Sequence, residues 1–524
     1  MLGSLIQREG LTLVSGLLAR IKQSAAMRFV FLLPLLLLVA SCSQQMPETG
    51  ELRIALAQKV MTLDPRFSTD AASHRVQELV HRGLVRLNEN FEPMPDAAES
   101  WSHPDSLTWR FHLRDGLKFH NGEPVLASDV VATLNSLLDV KTASPLRAGF
   151  AAIESVEAEG GRDVVVHLSK ADASLLTRLS IGILPASEAA KGNQSRSIIG
   201  CGACRVVAWD ERGLLLERIA ETQANQIKQF RFVVVKDPVT RCLKLGRGEV
   251  DFTENDLPSH LLGYLKDQKQ LTIRTRPSTT FSYIGMNLQD AVLKDVRVRW
   301  ALALALDRAR LKKALYADLP VLGETVLTPT HWAAADIPVM PFDARQAVAL
   351  LDDAGFKPDA NGVRFTLNYR TSTDPARLRL ASAIADMWRQ IGVDVKVESL
   401  EWGGFYARIK QGDFQVFSLA WVGIVDPDIY RWILHSDMWP PKGANRGRYA
   451  NTDVDGWLEV AAVSPSREEQ KRLYGMIQEQ MTEDQVYIPL WYEPVIAVSG
   501  PRLSGFSPAP DGSLLGLLQA QVRD

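Results

Sequence analysis

The pattern of apolar and polar residues is most informative in residues 414–428, which read FQVFSLAWVGIVDPD. Apolar side chains occupy both alternating sets of positions up to Trp421, which predicts a strand buried on both faces. Gly423 and the Asp426-Pro427 pair then favour a loop where the strand ends. This arrangement is typical of a binding surface on a rigid scaffold, and equally of a core strand followed by an ordinary turn.

Simpler periodicities predict further elements. Residues 51–57 and 107–114 place apolar side chains at every second position, which predicts two strands. Residues 73–85 and 130–138 have the spacing of helices with one inner face. The predicted N-caps are Ser73 for the first helix and Ser128 or Asp129 for the second.

The N-terminal segment has a different composition from the rest of the chain. Basic residues precede an apolar run at residues 29–40 that is too short to cross a bilayer comfortably. Its length and basic flank predict a secretory signal peptide, residues 1–41. The start of translation stays open between Met1 and Met27.

The end of this run, VASC, resembles the lipobox of bacterial lipoproteins. The resemblance implies that Cys42 is acylated and becomes the mature N-terminus, which anchors an exported, periplasmic protein to a bacterial membrane. Residues 42–50 are then a lipidated polar tether. The alternative is a signal peptide cleaved elsewhere, with Cys42 incidental, and the sequence does not say which membrane holds the anchor.

Length and composition limit the class of protein. A chain of 524 residues is too long for one hydrophobic core, so two or three domains are expected. Its hydrophobic fraction of 46% and charged fraction of 23% are those of a soluble globular protein. The formal net charge of −2 gives no reason to expect nucleic acid as a partner.

The cysteines downstream of the predicted export signal would meet an oxidising compartment. Cys201 and Cys204 form a C-x-x-C, and Cys242 follows. No second Cys or His pair completes a zinc site at ligand spacing, so neither a metal nor another cofactor is predicted. We expect a structural disulfide between Cys242 and either Cys201 or Cys204, and favour Cys204–Cys242.

Motifs for catalysis are missing from the sequence. It contains no G-x-S-x-G elbow, no H-E-x-x-H and no P-loop, so a binding function is favoured over a hydrolase.

Several segments in order resemble the peptide/nickel family of bacterial extracellular solute-binding proteins, family 5, which are receptors of ABC importers. RDGLKFHNG at residues 114–122 follows a predicted strand, and ASDV at residues 127–130 precedes a helix, as in that family's signature. GCGACRVVAW at residues 200–209 is similar to its Gly-x-Gly-Pro-Tyr strand, although both cysteines depart from it. Residues 237–252 and 295–308 match further motifs, so the resemblance covers nearly all of the mature chain.

The resemblance implies an α/β protein with the two-lobed periplasmic-binding-protein fold, type II-like and of cluster C, with an additional inserted domain. The expected divisions are lobe I at residues 50–75, 196–287 and 488–524, domain II at 76–195, and lobe III at 288–487. The chain would cross between the lobes near Asn287 and near residues 487–489, which would form the hinge.

The ligand of such a receptor would lie in the cleft between the lobes. The residues that the resemblance places there are Thr280, Phe281, Ser282, Tyr283, Met286, Leu419, Trp421, Val422, Gly423 and Ile424. Of the four tryptophans at positions 402, 421, 432 and 439, we expect Trp421 to be exposed to the cleft and most of the others to be core. Arg446 or Arg448 either binds a ligand carboxylate bidentately or pairs only with a neighbouring acidic side chain, and the second is expected for both.

One position departs from peptide-binding relatives, which carry an aspartate shortly after this tryptophan to pair with the α-ammonium of the peptide. Ile424 stands there instead, and an unpaired buried ammonium would be costly. Either Asp426 or Asp428 accepts the ammonium from a shifted loop, or the ligand presents no free amine there. Equally, these aspartates form a turn and cap a helix over residues 429–434.

The sequence thus predicts a monomeric, non-enzymatic receptor for an oligopeptide or similar small solute. Its partners would be an ABC permease with its ATPase, and a membrane through the lipid anchor. Two alternatives remain. The ligand is a non-peptide solute such as a metal chelate, an opine-like compound or an oligosaccharide, or the protein is a surface sensor or chaperone that does not transport.

Overall fold

The apolar segments of the chain meet mainly in one mixed sheet of eleven strands. A computed structural model describes residues 50–191, 199–219, 226–255, 257–258 and 261–523. The predicted signal peptide and Cys42 lie outside the described residues.

Strands and helices alternate along much of the chain. The strands are β1 (Glu51–Leu56), β2 (Val85–Leu87), β3 (Pro93–Pro95), β4 (Ala98–Asp105), β5 (Thr108–Leu113), β6 (Ile153–Glu159), β7 (Asp163–Leu168), β8 (Cys204–Asp210), β9 (Gly213–Arg218), β10 (Gln229–Val234), β11 (Phe252–Glu254), β12 (Thr272–Met286), β13 (Val321–Leu322), β14 (Phe365–Ser372), β15 (Val393–Leu400), β16 (Val416–Trp421), β17 (Tyr487–Ser499), β18 (Leu503–Ser504) and β19 (Gln521–Val522). The α-helices are α1 (Ala71–Val80), α2 (Ala127–Leu138), α3 (Leu175–Arg178), α4 (Ala186–Ala189), α5 (Pro238–Gly246), α6 (Leu262–Asp267), α7 (Val296–Leu304), α8 (Arg308–Tyr316), α9 (Ala344–Asp353), α10 (Pro375–Arg389), α11 (Trp402–Gln411), α12 (Ile429–Leu434), α13 (Thr452–Val463) and α14 (Arg467–Glu483).

The large sheet consists of two parallel groups joined by two long antiparallel strands. Its order is β15-β14-β16-β12-β17-β11-β1-β10-β9-β8, with β13 beside β17. Strand β14 is parallel to β15 and β16, and β1 is parallel to β10 and β11. Strands β12 and β17 pair over most of their length, with an interruption at residues 278–280 of β12, and so run through both halves of the sheet.

Helices cover both faces of the sheet because its strands are apolar on both sides. In β12, Phe281 and Tyr283 face one core, and Ile284 and Met286 face another on the opposite side. In β1, Ile54 and Ala55 likewise face two separate cores. The sheet is therefore the middle layer of the molecule.

A separate antiparallel sheet, β4-β5-β7-β6, packs against α2. Trp109, Phe111 and Leu113 alternate inward along β5, as the sequence predicted, and Val130 and Leu134 of α2 cover them. This unit has its own core within residues 84–201.

The predicted strands are confirmed, whereas the predicted helix caps are wrong. The side chain of Asp70, not Ser73, caps α1 by accepting from the Ser73 amide at 2.8 Å. Helix α2 begins after Leu126, and Asp129 accepts from the Leu126 amide at 2.8 Å from inside the first turn. Asp70 therefore caps α1 from three residues before Ser73, whereas Asp129 accepts a capping hydrogen bond without being the N-cap residue itself.

The predicted Cys204–Cys242 disulfide is wrong, because both cysteines are free and buried on opposite faces of the sheet. Cys204 packs with Ile54, whereas Cys242 packs with Ala55, the next residue of β1. Cys201 is also free, and burial raises the pKa of its thiol to about 11. All three behave as small core residues.

Within the described part of the chain, no helix is long and apolar enough to cross a membrane.

Candidate ligand-binding site

In open α/β sheets, ligands bind at the carboxyl ends of the parallel strands, where the loops leave the sheet. This sheet has two such edges. The strand ends are Ser372, Leu400 and Trp421 in one half, and Leu56, Val234 and Glu254 in the other.

The register of β17 shows that these two edges face each other. Trp421 pairs with Phe281 of β12, which pairs with Tyr492 of β17. At the other edge, Glu254 pairs with Ala497 of the same strand. Both edges point towards the middle of β17. Their partners on this strand, Tyr492 and Ala497, are five residues apart, or about 16 Å along a strand.

The pairing of β12 and β17 is irregular in this middle part. Its register shifts between Pro277 and Phe281, and again between Ser282 and Tyr283. These irregularities precede the predicted crossing near Asn287, because β12 continues in register with β16 up to Met286.

The structure brings the two predicted ligand-binding segments together as adjacent antiparallel strands. Phe281 pairs with Trp421, and Tyr283 pairs with Leu419. However, Phe281, Tyr283, Leu419 and Trp421 all point into one hydrophobic core, and Met286 points into the core on the other face. The side chains of these five residues therefore lie in the cores on the two faces of the sheet, where they stabilise the strand edge.

Four predicted site residues remain accessible or polar. Val422 is 75% exposed, and Gly423 is exposed with a φ of 70°, a conformation that favours glycine. Thr280 is half-buried, and Ser282 Oγ donates to Glu493 Oε1 at 2.8 Å. The Ile424 amide donates to the Thr279 carbonyl at 3.1 Å, which ties the loop to β12.

The expectation that Trp421 is exposed is wrong. Its ring is 9% exposed and is stacked on Tyr283, with ring centroids 5.7 Å apart. The Arg446 guanidinium lies 4.4 Å from the centre of the Trp421 ring. The three other tryptophans, expected to be mostly core, are exposed by 48%, 47% and 36% at positions 402, 432 and 439.

Arg446 is a buried cation whose partners are aromatic. It donates to the Tyr283 hydroxyl at 3.0 Å and to the Tyr406 hydroxyl at 3.2 Å. Burial opposes its charge, but the neighbouring tyrosine hydroxyls leave the pKa of Arg446 raised. Among the described residues no carboxylate forms an ion pair with Arg446 or with Arg448, which lies over the Trp439 ring, so the expected acidic partners are wrong.

Asp426 and Asp428 lie where the loop meets the segment before α3. Asp426 Oδ1 accepts from Ser174 Oγ at 2.8 Å and from the Asp428 amide at 2.9 Å. Burial raises the pKa of Asp426, and burial followed by repulsion from Asp426 raises the pKa of Asp428 to about 7. The predicted turn and helix are present, but the Asp428 side chain makes no capping hydrogen bond.

Sequence reasoning missed Glu254 and Arg75 at the opposite edge. The Glu254 side chain is 2% exposed, and neither of its oxygens has a hydrogen-bond partner. Arg75 Nη1 lies 4.0 Å away, and Arg75 Nε also lacks a partner. Burial, with a smaller repulsion from Asp511, raises the pKa of Glu254 to about 8. The only signal in the sequence is an acid at the end of a short apolar strand, which is common in soluble proteins.

A chain of backbone contacts connects the two edges. The Thr279 carbonyl accepts from Ile424, and the Thr279 amide donates to the Pro510 carbonyl at 2.9 Å. Gly512 follows closely, and a Cβ at this position would lie 2.9 Å from Arg75 Nη2. The residue 421–424 loop and the Arg75–Glu254 pair therefore border the same region.

Two cavities lie elsewhere in the described part. One of about 610 Å³ lies between the β4–β5 end and the start of α14, with Trp101, His103, Trp109 and Arg467 in its wall. The other, of about 260 Å³, is lined mostly by apolar groups near Trp300 and Met340. No group of three or more His, Cys, Asp or Glu residues in the described part could hold a metal ion.

Comparison with known proteins places this architecture in a family. Residues 92–438 match the model of the bacterial extracellular solute-binding proteins, family 5 Middle. Because the match covers more than half of the chain, the chain belongs to this family. Its structural relatives are two-lobed periplasmic binding proteins, which confirms the predicted fold class.

Three relatives illustrate the similarity. The periplasmic oligopeptide-binding protein OppA of Salmonella typhimurium is 29% identical over 490 residues, which are 86% of this chain and 88% of OppA. The glutathione-binding protein GsiB of Escherichia coli O1:K1 is 25% identical over 496 residues, 90% of this chain and 94% of GsiB. The structure of NikZ from Campylobacter jejuni, in complex with Ni(L-His), matches with a TM-score of 0.71 and 26% identity, over 91% of this chain and all of NikZ.

Proposed function

We propose that this chain, as a member of family 5 of the extracellular solute-binding proteins, binds an oligopeptide or a similar small solute between the two facing edges of its sheet. It then delivers the solute to the permease and ATPase of an ABC importer. It acts as a monomer and without catalysis.

One observation carries the proposal. Two groups of parallel strands end towards the middle of the same pair of long strands, so groups from both edges can contact one ligand. Because β12 and β17 are the strands shared by the two halves, a change in their twist would move the edges together or apart. Closure of two lobes around a solute is the usual motion of such receptors, and it removes water from the polar contacts inside.

The contacts proposed for the ligand follow from exposure and polarity. Val422 and Gly423 present an accessible segment, and the half-buried Thr280 offers a hydroxyl group beside it, next to the partly buried Ser282–Glu493 hydrogen bond. The rigid backing by Trp421 and Tyr283 would hold this segment in place. An extended peptide could then bind as an added strand, with its main chain supplying affinity.

The remaining parts of the proposal concern location. Lobe I is proposed at residues 50–75, 196–287 and 488–524, domain II at 76–195, and lobe III at 288–487. The protein is exported by the signal peptide of residues 1–41 and held at the membrane by acylation of Cys42. Incorporation of labelled palmitate into the wild type but not into Cys42→Ala tests the anchor.

Native mass spectrometry of the purified protein, followed by denaturing release of bound small molecules, tests the function. The proposal expects a released mixture of short peptides. The name of OppA as an oligopeptide-binding protein supports this expectation. A single non-peptide mass, such as a metal chelate, would contradict the peptide claim and leave the solute-binding class intact. If the chain were a sensor or chaperone, deletion of the partner permease would leave its activity unchanged.

A further inference from the structure

We propose that Glu254, held beside Arg75, is the binding site for the positively charged group of the ligand, which for a peptide is the α-ammonium. This inference rests on the proposed function, and it assigns the charge recognition to the edge of the sheet opposite the residue 421–424 loop.

The position of Glu254 supports this role. Glu254 is the last residue of β11, so it lies at a carboxyl end of the parallel strands. Its pairing with Ala497 directs that end towards the middle of β17, where Tyr492 is in register with Phe281 and Trp421. A ligand lying between the edges would therefore contact Glu254 on one side and the loop on the other.

The Arg75–Glu254 pair lacks hydrogen-bond partners that a third group could supply. A buried carboxylate normally accepts several hydrogen bonds, and leaving one without them is costly. Both Glu254 oxygens and Arg75 Nε are buried without a partner, and the closest approach of the two side chains is 4.0 Å. An ammonium group carries three donors and fits this deficit.

The local charge also favours a cation. Glu254 and Asp511 lie near Arg75, and Glu78 interacts with both Arg75 and Asp511. The adjacent His74 is exposed, and its Nε2 lies 3.4 Å from Glu78 Oε1. Three carboxyl groups thus share one guanidinium, and burial with mutual repulsion raises the pKa of Glu78 to about 7. A bound ammonium would stabilise the ionised form of Glu254, which the single guanidinium does not hold ionised at neutral pH.

The aspartates of the loop are less suited to the role. Asp426 Oδ1 already accepts hydrogen bonds from Ser174 and from the Asp428 amide, so each aspartate has one buried oxygen without a partner, whereas Glu254 has two. Asp428 lies near Arg178 and Arg431, two cations that would repel an ammonium. Glu254, by contrast, has only Arg75 as a nearby cation.

Binding at Glu254 should release a proton. With a pKa of about 8, the empty site is mostly protonated at pH 6, and an ammonium binds the ionised form. Affinity should therefore rise by up to about tenfold per pH unit between pH 6 and pH 7, while the peptide amine stays protonated.

A competition between two tripeptide libraries tests the proposal. The full-length protein is offered an equimolar random tripeptide library and its N-acetylated counterpart, and the retained peptides are read by native mass spectrometry. We expect the wild type to prefer the free amines by at least about tenfold. The Glu254→Gln variant should lose this preference. The matched control Glu51→Gln, which changes a buried carboxylate paired with Arg231 at the amino end of β1, should keep it.

The outcomes separate the two proposals. Unchanged preference in Glu254→Gln, or its loss in Asp426→Asn or Asp428→Asn instead, overturns this inference alone. Failure of the wild type to retain either library overturns the proposed function and this inference together. Thermal melts check that the variants fold, and Glu254→Asp, which keeps the charge, should retain a measurable preference if Glu254→Gln does not fold.

Discussion

The two strand edges that face each other across β17 differ in how their polar groups are satisfied. At the edge around Trp421, the buried cation of Arg446 has two hydroxyl partners and an aromatic face. At the edge around Glu254, the buried carboxylate and Arg75 Nε have no hydrogen bonds. The buried cation of the first edge therefore has its partners without a ligand, although Asp426 Oδ2 and Asp428 Oδ1 in the following loop have none, whereas both oxygens of Glu254 at the second edge lack a partner.

This difference suggests that the two edges have separate roles in ligand binding. Stacking of Trp421, Tyr283 and Arg446 fixes the position of the residue 421–424 loop before any ligand arrives, which lowers the entropic cost of binding. Glu254 supplies an interaction that the empty protein lacks. The edge around Trp421 would then recognise the shape of the ligand, and the edge around Glu254 would recognise its charge.

The largest expected effect of a single substitution comes from breaking the contacts of Arg446 at the edge around Trp421. Arg446→Met removes the cation that holds the Tyr283 and Tyr406 hydroxyls and covers Trp421. Relief from burying a charge offsets part of the loss, so we expect the free energy of unfolding to fall by about 2 kcal/mol. Urea denaturation followed by tryptophan fluorescence measures it.

A matched control lies on the surface of the same half. Arg377 lies 6.0 Å from the centre of the Trp402 ring, which is 48% exposed. Arg377→Met should cost less than about 1 kcal/mol, because exposed cation–π contacts are weak. Equal losses in the two variants would contradict the claim that burial makes the Arg446 cluster a rigid support.

A pH-dependent effect, smaller for each pH unit than the loss in Arg446→Met, is expected at the edge around Glu254. The pKa of Glu254 is about 8 in the folded protein and near 4.5 in the unfolded chain. Between these values the folded state holds the extra proton, so raising the pH favours unfolding by at most about 1.4 kcal/mol per pH unit. Denaturation of the empty protein from pH 6 to pH 8 should show this slope, and Glu254→Gln should lack it.

Parallel stability curves for the wild type and Glu254→Gln would contradict the burial of an unsatisfied carboxylate at this edge. Comparison of the two proteins is needed because Asp428, with a pKa of about 7, and Glu78 contribute to the slope in both.

The sequence predicted the strands well because alternation and long apolar runs are local signals. It also paired the right segments, since the resemblance placed residues 280–286 and 419–424 in one site. It failed on the orientation of side chains. Trp421 and Tyr283 lie on the same face as Leu419, so their strand register buries them. Register depends on partner strands that no local pattern reveals.

Glu254 and the cysteines show the same limit. The charged neighbours of Glu254 are Arg75 of α1 and Asp511, which are both remote from it in sequence. Cys204 and Cys242 are free because consecutive residues of β1 face opposite cores, a fact that cysteine spacing does not contain.

The crystal structure of the protein with a bound tripeptide tests the central claim most directly. The account predicts that the ligand lies between the two edges, with its ammonium within hydrogen-bonding distance of Glu254 and its main chain beside Val422 and Gly423. A ligand in the cavity formed by Trp101, Trp109 and Arg467, with Glu254 still unpartnered, would contradict it.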